Sequence, residues 1–380
     1  MLRLFSVQCL PTLRRGALLP LWRSCHVAPL GDTQRLGGVV SHSKLLRKVL
    51  QGSDPDYVKG RRIRGTVRKI EGSYMNWLGQ CGQGECLMML SSLAMSARFL
   101  ERREHGASGF NCDDEWSGVS PFFSPGVNDW LCALLQRCAS QVESPEECMQ
   151  LLSFAVDLEL GDTQTLQKLC HKVTAKDYIA SASPEKLVGV LRLLSLLVKR
   201  CRMPVPPLDK LLCRLIGATL DSRQALTVLS SMLRLRERKS VDVVQSVSRK
   251  AADMVLTYTA KDVIYALEAV ALLNCCHEAY AGAVLRRCCV LCPTLTSGEL
   301  GSVCKYVALL NTTRTSNTIA FSCAQELRRL LPAILNRAEL LLGKFSLRDA
   351  RCVLRCLKQH NVHHAIVFSR LTPLITDGVK

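Results

Sequence analysis

Six short polar residues, each followed by an apolar stretch of helix-forming residues, recur along this chain at nearly constant intervals. They are Ser144, Ser183, Asp221, Thr259, Thr296 and Ser346, with successive gaps of 39, 38, 38, 37 and 50 residues. Each has a side-chain oxygen able to accept a hydrogen bond from the free amides of a first helical turn. Three residues later stand Glu147, Lys186, Gln224, Asp262, Glu299 and Asp349. Five of these six can complete a capping box, and Glu185 beside Lys186 still favours the positive helix end. Pro145 and Pro184 occupy the first helical position, where a missing amide hydrogen costs nothing.

The register continues past the caps. Seven and eight residues after each opener lie Leu151 and Leu152, Val190 and Leu191, Val228 and Leu229, Ala266 and Leu267, Val303 and Cys304, Val353 and Leu354. Fourteen residues after it come Leu158, Leu197, Leu235, Leu273, Leu310 and, as the exception, His360. These offsets return to one helical face, so every copy carries the same apolar stripe. Any helical bundle repeats apolar faces; a constant spacing separates a stack of hairpins from a bundle. The pattern predicts an all-α chain, a right-handed α-solenoid of about six to seven helical hairpin repeats of ~38 residues. Second helices are predicted over 164–173, 207–220, 240–258, 277–291, 324–342 and 362–375. The fifth unit carries an insertion, and Pro332 should kink its second helix. A degenerate pair over 84–143, with helices at 85–103 and 127–141 around a long Gly/Pro-rich loop, precedes the array at 144–376.

Residues 1–40 differ from the rest. They hold Arg3, Arg14, Arg15, Arg23 and Arg35 against one acid, Asp32, with Leu, Ser and Ala between. That is the composition of a mitochondrial transit peptide, and it predicts a matrix protein. Residues 41–83 read as a basic, partly disordered linker; their KGRRIRGTVRK run (59–69) suits either a basic arm ordering on RNA or a plain linker. No apolar run is long enough for a membrane span.

Net charge is +18, distributed as +4 over 1–40, +6 over 41–83, −8 over 84–160 and +16 over 161–380. Such an excess suggests a polyanion partner, with RNA the leading candidate, although matrix proteins as a class are basic. Two runs, Lys199, Arg200 and Arg202 in KRCR and Arg234, Arg236, Arg238 and Lys239 in RLRERK, follow the first helices of adjacent units and should be neighbours on one edge. Arg348, Arg351, Arg355 and Lys358 share one helix face. These cations are the candidate phosphate contacts; the alternative is that each is a helix C-terminal cation or part of a solvated face. The pairs Arg286–Arg287 and Arg328–Arg329 lie on second helices.

Twenty cysteines are scattered at helix-face positions such as Cys148, Cys170, Cys213, Cys304 and Cys352, where small apolar side chains pack well. The dense group Cys275, Cys276, His277, Cys288, Cys289 and Cys292 contains one CxxC, but inside a predicted helix and without a second CxxC. A core role is expected, with neither metal nor other cofactor. No phosphate loop, dinucleotide fingerprint, HExxH or GxSxG occurs, and His363–His364 reads as surface or cap, so no enzyme is expected.

The units are similar to the helical repeats of organellar RNA-metabolism proteins. Their length resembles octotricopeptide repeats, and TAKDVIYALEAVALL (259–273) and FSLRDARCVLRCLKQH (345–360) look like the helical region preceding RAP domains. An arginine-rich leader, Cys/Arg-rich repeats and no catalytic motif also resemble kinetoplastid mitochondrial RNA-editing and mitoribosome-assembly factors. The resemblance covers 144–376 and implies a non-catalytic subunit that binds RNA or an RNA–protein complex. No PPPEW-like motif is present, which leaves ARM/HEAT-like scaffolding, without direct RNA contact, as the alternative.

Overall fold

In the computed structural model, residues 33–71, 82–106, 125–235, 240–310 and 323–377 are described. Among them every regular element is a helix and no strand occurs. The helices are α1 Thr33–Gln51, α2 Asp56–Glu71, α3 Gln83–Gly106, α4 Pro125–Gln141, α5 Pro145–Leu158, α6 Thr163–Val173 and α7 Lys176–Ser181. Then come α8 Pro184–Arg200, α9 Asp209–Gly217, α10 Ser222–Leu235, α11 Val241–Ala251, α12 Ala260–Leu273 and α13 Glu278–Leu291. The last four are α14 Ser297–Leu310, α15 Ala324–Leu340, α16 Leu347–Gln359 and α17 Ala365–Asp377.

All six openers cap their helices. Ser144, Ser183 and Ser346 each accept from the amide three residues on, at 3.2, 3.4 and 3.2 Å. Asp221, Thr259 and Thr296 form reciprocal boxes: Gln224, Asp262 and Glu299 accept a bond from the opener's own amide at 3.0, 3.0 and 2.9 Å. The paired residues seven and eight past each opener are all buried. Fifteen residues past three openers, Glu159, Asn274 and Asn361 adopt the left-handed conformation that ends a helix. In those three units the period is carried from cap to stop.

Packing follows the period. Each first helix lies on its predecessor and successor, in the order α3, α5, α8, α10, α12, α14, α16, and each also packs on the second helix of its own unit. Second helices meet in the same sense: α4 on α6, then α9, α11, α13, α15 and α17 in turn. Between α6 and α9 the short α7, which the periodicity did not predict, packs on α9 instead. Observed second helices are shorter than predicted where the backbone tightens: α11 passes into a 3-10 segment over Ala252–Thr257 and α15 ends before one at Leu342–Lys344. Helix α15 runs on through Pro332, and the insertion at 311–322 lies outside the described residues.

Within the segment 41–83, the described residues 41–71 are largely helical. Its helices α1 and α2 pack on each other and on α3, burying Leu46, Val49, Ile63, Val67 and Ile70. The dense charge of 59–69 concealed an apolar stripe, since those three α2 residues recur at spacings of four and three. Residues 1–32 lie outside the described residues, while α1 begins within the segment read as a leader.

Candidate nucleic-acid interface

The cations singled out by sequence divide into groups with different surroundings. Lys199 and Arg200 end α8, and Arg202 follows in a left-handed conformation with its side chain exposed. Lys199 is also exposed. Arg200 is half-buried and grips Glu101 of α3 with both ends of its fork, at 2.5 and 3.4 Å. Arg234, at the end of α10, is half-buried; burial pushes its guanidinium below the ordinary arginine range, with Arg192 and then Arg200 adding like charge and Glu268 opposing. The ends of α8 and α10 are thus neighbours, as equal offsets require. Arg236, Arg238 and Lys239 lie outside the described residues.

Arg348, Arg351 and Arg355 stand exposed on α16 with Lys358. Helices α12 and α14 separate them from the α8–α10 group, so the candidate residues do not form one adjoining cluster. Arg192, which no run of basic residues signalled, joins Arg200 and Arg234; it lies nine residues after Ser183, on the outward face of α8.

Beside these cations lies an acidic counterpart. Asp157 meets Arg98 at 2.5 Å, and Ser153 accepts from Arg98 at 2.8 Å. Burial raises the Asp157 carboxyl above its usual range against the pull of Arg98. It raises Glu159 likewise, with Arg200 opposing. The ends of α3, α5, α8 and α10 therefore carry a network of both signs rather than a cationic surface.

Several other cations serve the fold. Lys172 donates to the carbonyl of Val142, and Arg214 to Ala180 at 3.2 Å. Lys250 reaches Ile216 and Ala218 at 2.6 and 3.1 Å, Arg287 reaches Tyr258 at 3.0 Å, and Arg337 reaches Leu295 at 2.9 and 2.6 Å. In five successive units, a base on the second helix holds the carbonyls that close the preceding unit. Charge and dipole both favour that contact. Arg286 and Arg329 both engage Glu326, at 3.0 and 3.7 Å.

The cysteine group does not converge. Cys276 Sγ lies 3.8 Å from the Ala269 carbonyl and Cys289 Sγ 3.7 Å from that of Arg329. Among the described residues no three His, Cys, Asp or Glu side chains are grouped to hold a metal. Burial pushes the thiols of Cys170 and Cys201 up to about 12, so these remain protonated packing groups. Cys213 departs from the packing expectation: it is exposed on α9. His277 and His364 cap α13 and α17 through Nδ1. No described helix is long and apolar enough to cross a membrane. No family model matches the chain, and no curated protein is significantly similar to it.

Proposed function

We propose that the array over 144–376 is a right-handed α-solenoid of about six to seven hairpin repeats. It acts as a non-catalytic subunit of mitochondrial RNA-processing or editing machinery, binding RNA or an RNA–protein complex in the matrix. The observation that carries this reading is the exposure of Lys199, Arg202, Arg348, Arg351 and Arg355 on a region of net charge +16. Exposed guanidinium and ammonium groups exchange counterions for phosphates at little cost in desolvation. Arg200 and Arg234 are reassigned within it: one is held by Glu101, the other sheathed by neighbours, and both support the frame rather than the ligand.

Filter binding of oligouridine to the full chain across a salt series tests the reading. Replacing Lys199, Arg202, Arg351 and Arg355 by Gln should weaken binding and flatten its salt dependence by about 0.7 for each phosphate no longer neutralised. Binding with an unchanged slope sinks these residues as contacts.

A second reading, a protein scaffold or mitoribosome-assembly factor without direct RNA contact, is favoured by the mixed network of Arg98, Glu101, Asp157 and Arg200. Paired charges of both signs complement another protein better than a uniform polyanion. Copurification from mitochondria that survives RNase treatment would support it.

A further inference from the structure

Helix α2 has two faces of opposite character. Ile63, Val67 and Ile70 point into the core, where Ile63 is fully buried, and the helix packs on both α1 and α3. Outward, Tyr57, Arg61, Arg64, Gly65 and Arg68 fall at helical spacing and line one shallow depression. Tyr57 is 61% exposed, and a Cβ built on Gly65 would meet nothing within 4 Å, so the backbone at the middle of the depression is open. To one side Arg62 is paired with Asp54 at 2.5 Å, and Arg61, Arg64 and Arg68 line the depression itself. A second depression on α1 is lined by Lys44, Arg47, Lys48, Gln51 and Gly52.

We propose that the outward face of α2 is a single-stranded RNA contact, in which Tyr57 stacks on a base while Arg61, Arg64 and Arg68 take successive phosphates. This rests on the RNA-binding reading above and places a contact outside the repeat array. Arg61 to Arg68 spans about 10 Å of helix axis. Each guanidinium offers a planar fork that matches phosphate oxygens. An exposed tyrosine at the end of such a row supplies the sequence-tolerant stacking platform that single strands use. A lipid surface would demand an outward apolar face, and here the apolar face is sealed against α1 and α3. An acidic protein would satisfy the arginines but give Tyr57 no stacking partner.

The test measures fluorescence anisotropy of labelled oligouridine with the full chain across a salt series. Replacing Arg61, Arg64 and Arg68 by Gln should flatten the salt slope by about 2, and the double change R61Q/R68Q by about 1.4. The double variant leaves Arg64 in place and so guards against a folding defect. Tyr57→Ala should weaken binding about tenfold with the slope unchanged, and Tyr57→Trp should restore it. If both α2 variants keep wild-type affinity and slope while the Lys199/Arg202/Arg351/Arg355 variant loses them, this inference falls and the array reading stands. Failure of the unaltered chain to bind oligouridine at all overturns both. Binding to phosphatidylglycerol vesicles that needs the α2 arginines, with none to oligouridine, overturns the inference in favour of a membrane surface.

Discussion

His360 shows how one departure from the repeat changes the chemistry of a position. Five units place leucine fourteen residues past the opener, and the sixth places this imidazole, half-buried, with Nε2 3.1 Å from the Val307 carbonyl. Burial lowers its pKa from the ordinary histidine value, against the smaller pull of that carbonyl. A group whose folded pKa lies below its unfolded value binds protons more tightly in the unfolded chain. Its contribution is therefore complete above about pH 6.5 and is lost as the pH falls through the folded value. Urea midpoints measured from about pH 7 to about pH 5 should fall on acidification, and His360→Leu should flatten that part of the decline. An identical decline in the variant would place the titrating group elsewhere. At the same scale, Thr259→Ala removes one half of a reciprocal capping box and should cost about 1 kcal/mol, read as a lower urea midpoint with the same slope. Caps and stripes were legible because each depends on residues three, four or seven positions apart. The surroundings of Arg200 and Arg234 were not, because Glu101 and Arg192 that meet them belong to other helices.

Pairs of elements are held by two devices that periodicity does not reveal. One is a close approach. A Cβ on Gly301 would lie 2.6 Å from Asp349 Oδ1 and 3.0 Å from its Cα, so α14 and α16 meet at a distance only glycine permits. Since Asp349 accepts from the Ser346 hydroxyl at 2.6 Å, it is not free to swing aside. Gly301→Ala should push the two helices apart and cost about 1–3 kcal/mol despite the better helix propensity of alanine. A variant as stable as the parent would mean that the interface yields. The other device is the cation that reaches back to the preceding unit from the second helix of five successive units. Arg337→Met keeps the apolar stem but removes two bonds to the Leu295 carbonyl, and should cost about 1.5–3 kcal/mol. By comparison, Arg351→Ala on the exposed face of α16 should stay within about 0.5 kcal/mol. Thermal melts of the two variants side by side separate cations that build the molecule from cations available to a ligand. In sequence the two kinds are indistinguishable, so a net charge of +18 counts cations that hold the fold together with cations that stand exposed. The apolar stripe of α2 was hidden for the converse reason: charges at neighbouring positions masked a spacing that only its packing on α1 and α3 makes visible.

Across the whole molecule, equal offsets have a consequence that a closed bundle lacks. Helix α8 packs on α10, and α10 on α12, with the residues seven and eight past each opener buried in all three. If the units form an open stack, the rear surface of each unit is interchangeable with that of its neighbour, and stability is roughly a sum of units and interfaces. Removing residues 221–258 excises α10, α11 and the 3-10 turn after it, and joins Leu220 directly to the next opener, Thr259. Helix α8 would then face α12, and its apolar stripe would meet Ala266, Leu267 and Val270 in place of Val228, Leu229 and Met232. Smaller side chains on the new partner leave that interface less filled, so the shortened chain should melt at a lower temperature while remaining helical and cooperative. Circular dichroism would show ellipticity per residue near that of the parent. In a closed bundle the same excision removes two walls of a shared core, and the product would lose its cooperative transition; that outcome would sink the solenoid. Because 221–258 also holds Arg234, Arg236, Arg238 and Lys239 but none of α2 or α16, oligouridine binding by the shortened chain tests the proposed contact at the same time. Retained affinity leaves α2, the end of α8 or α16 as the proposed contact, and abolished binding with an intact melt places it on the excised α10 edge.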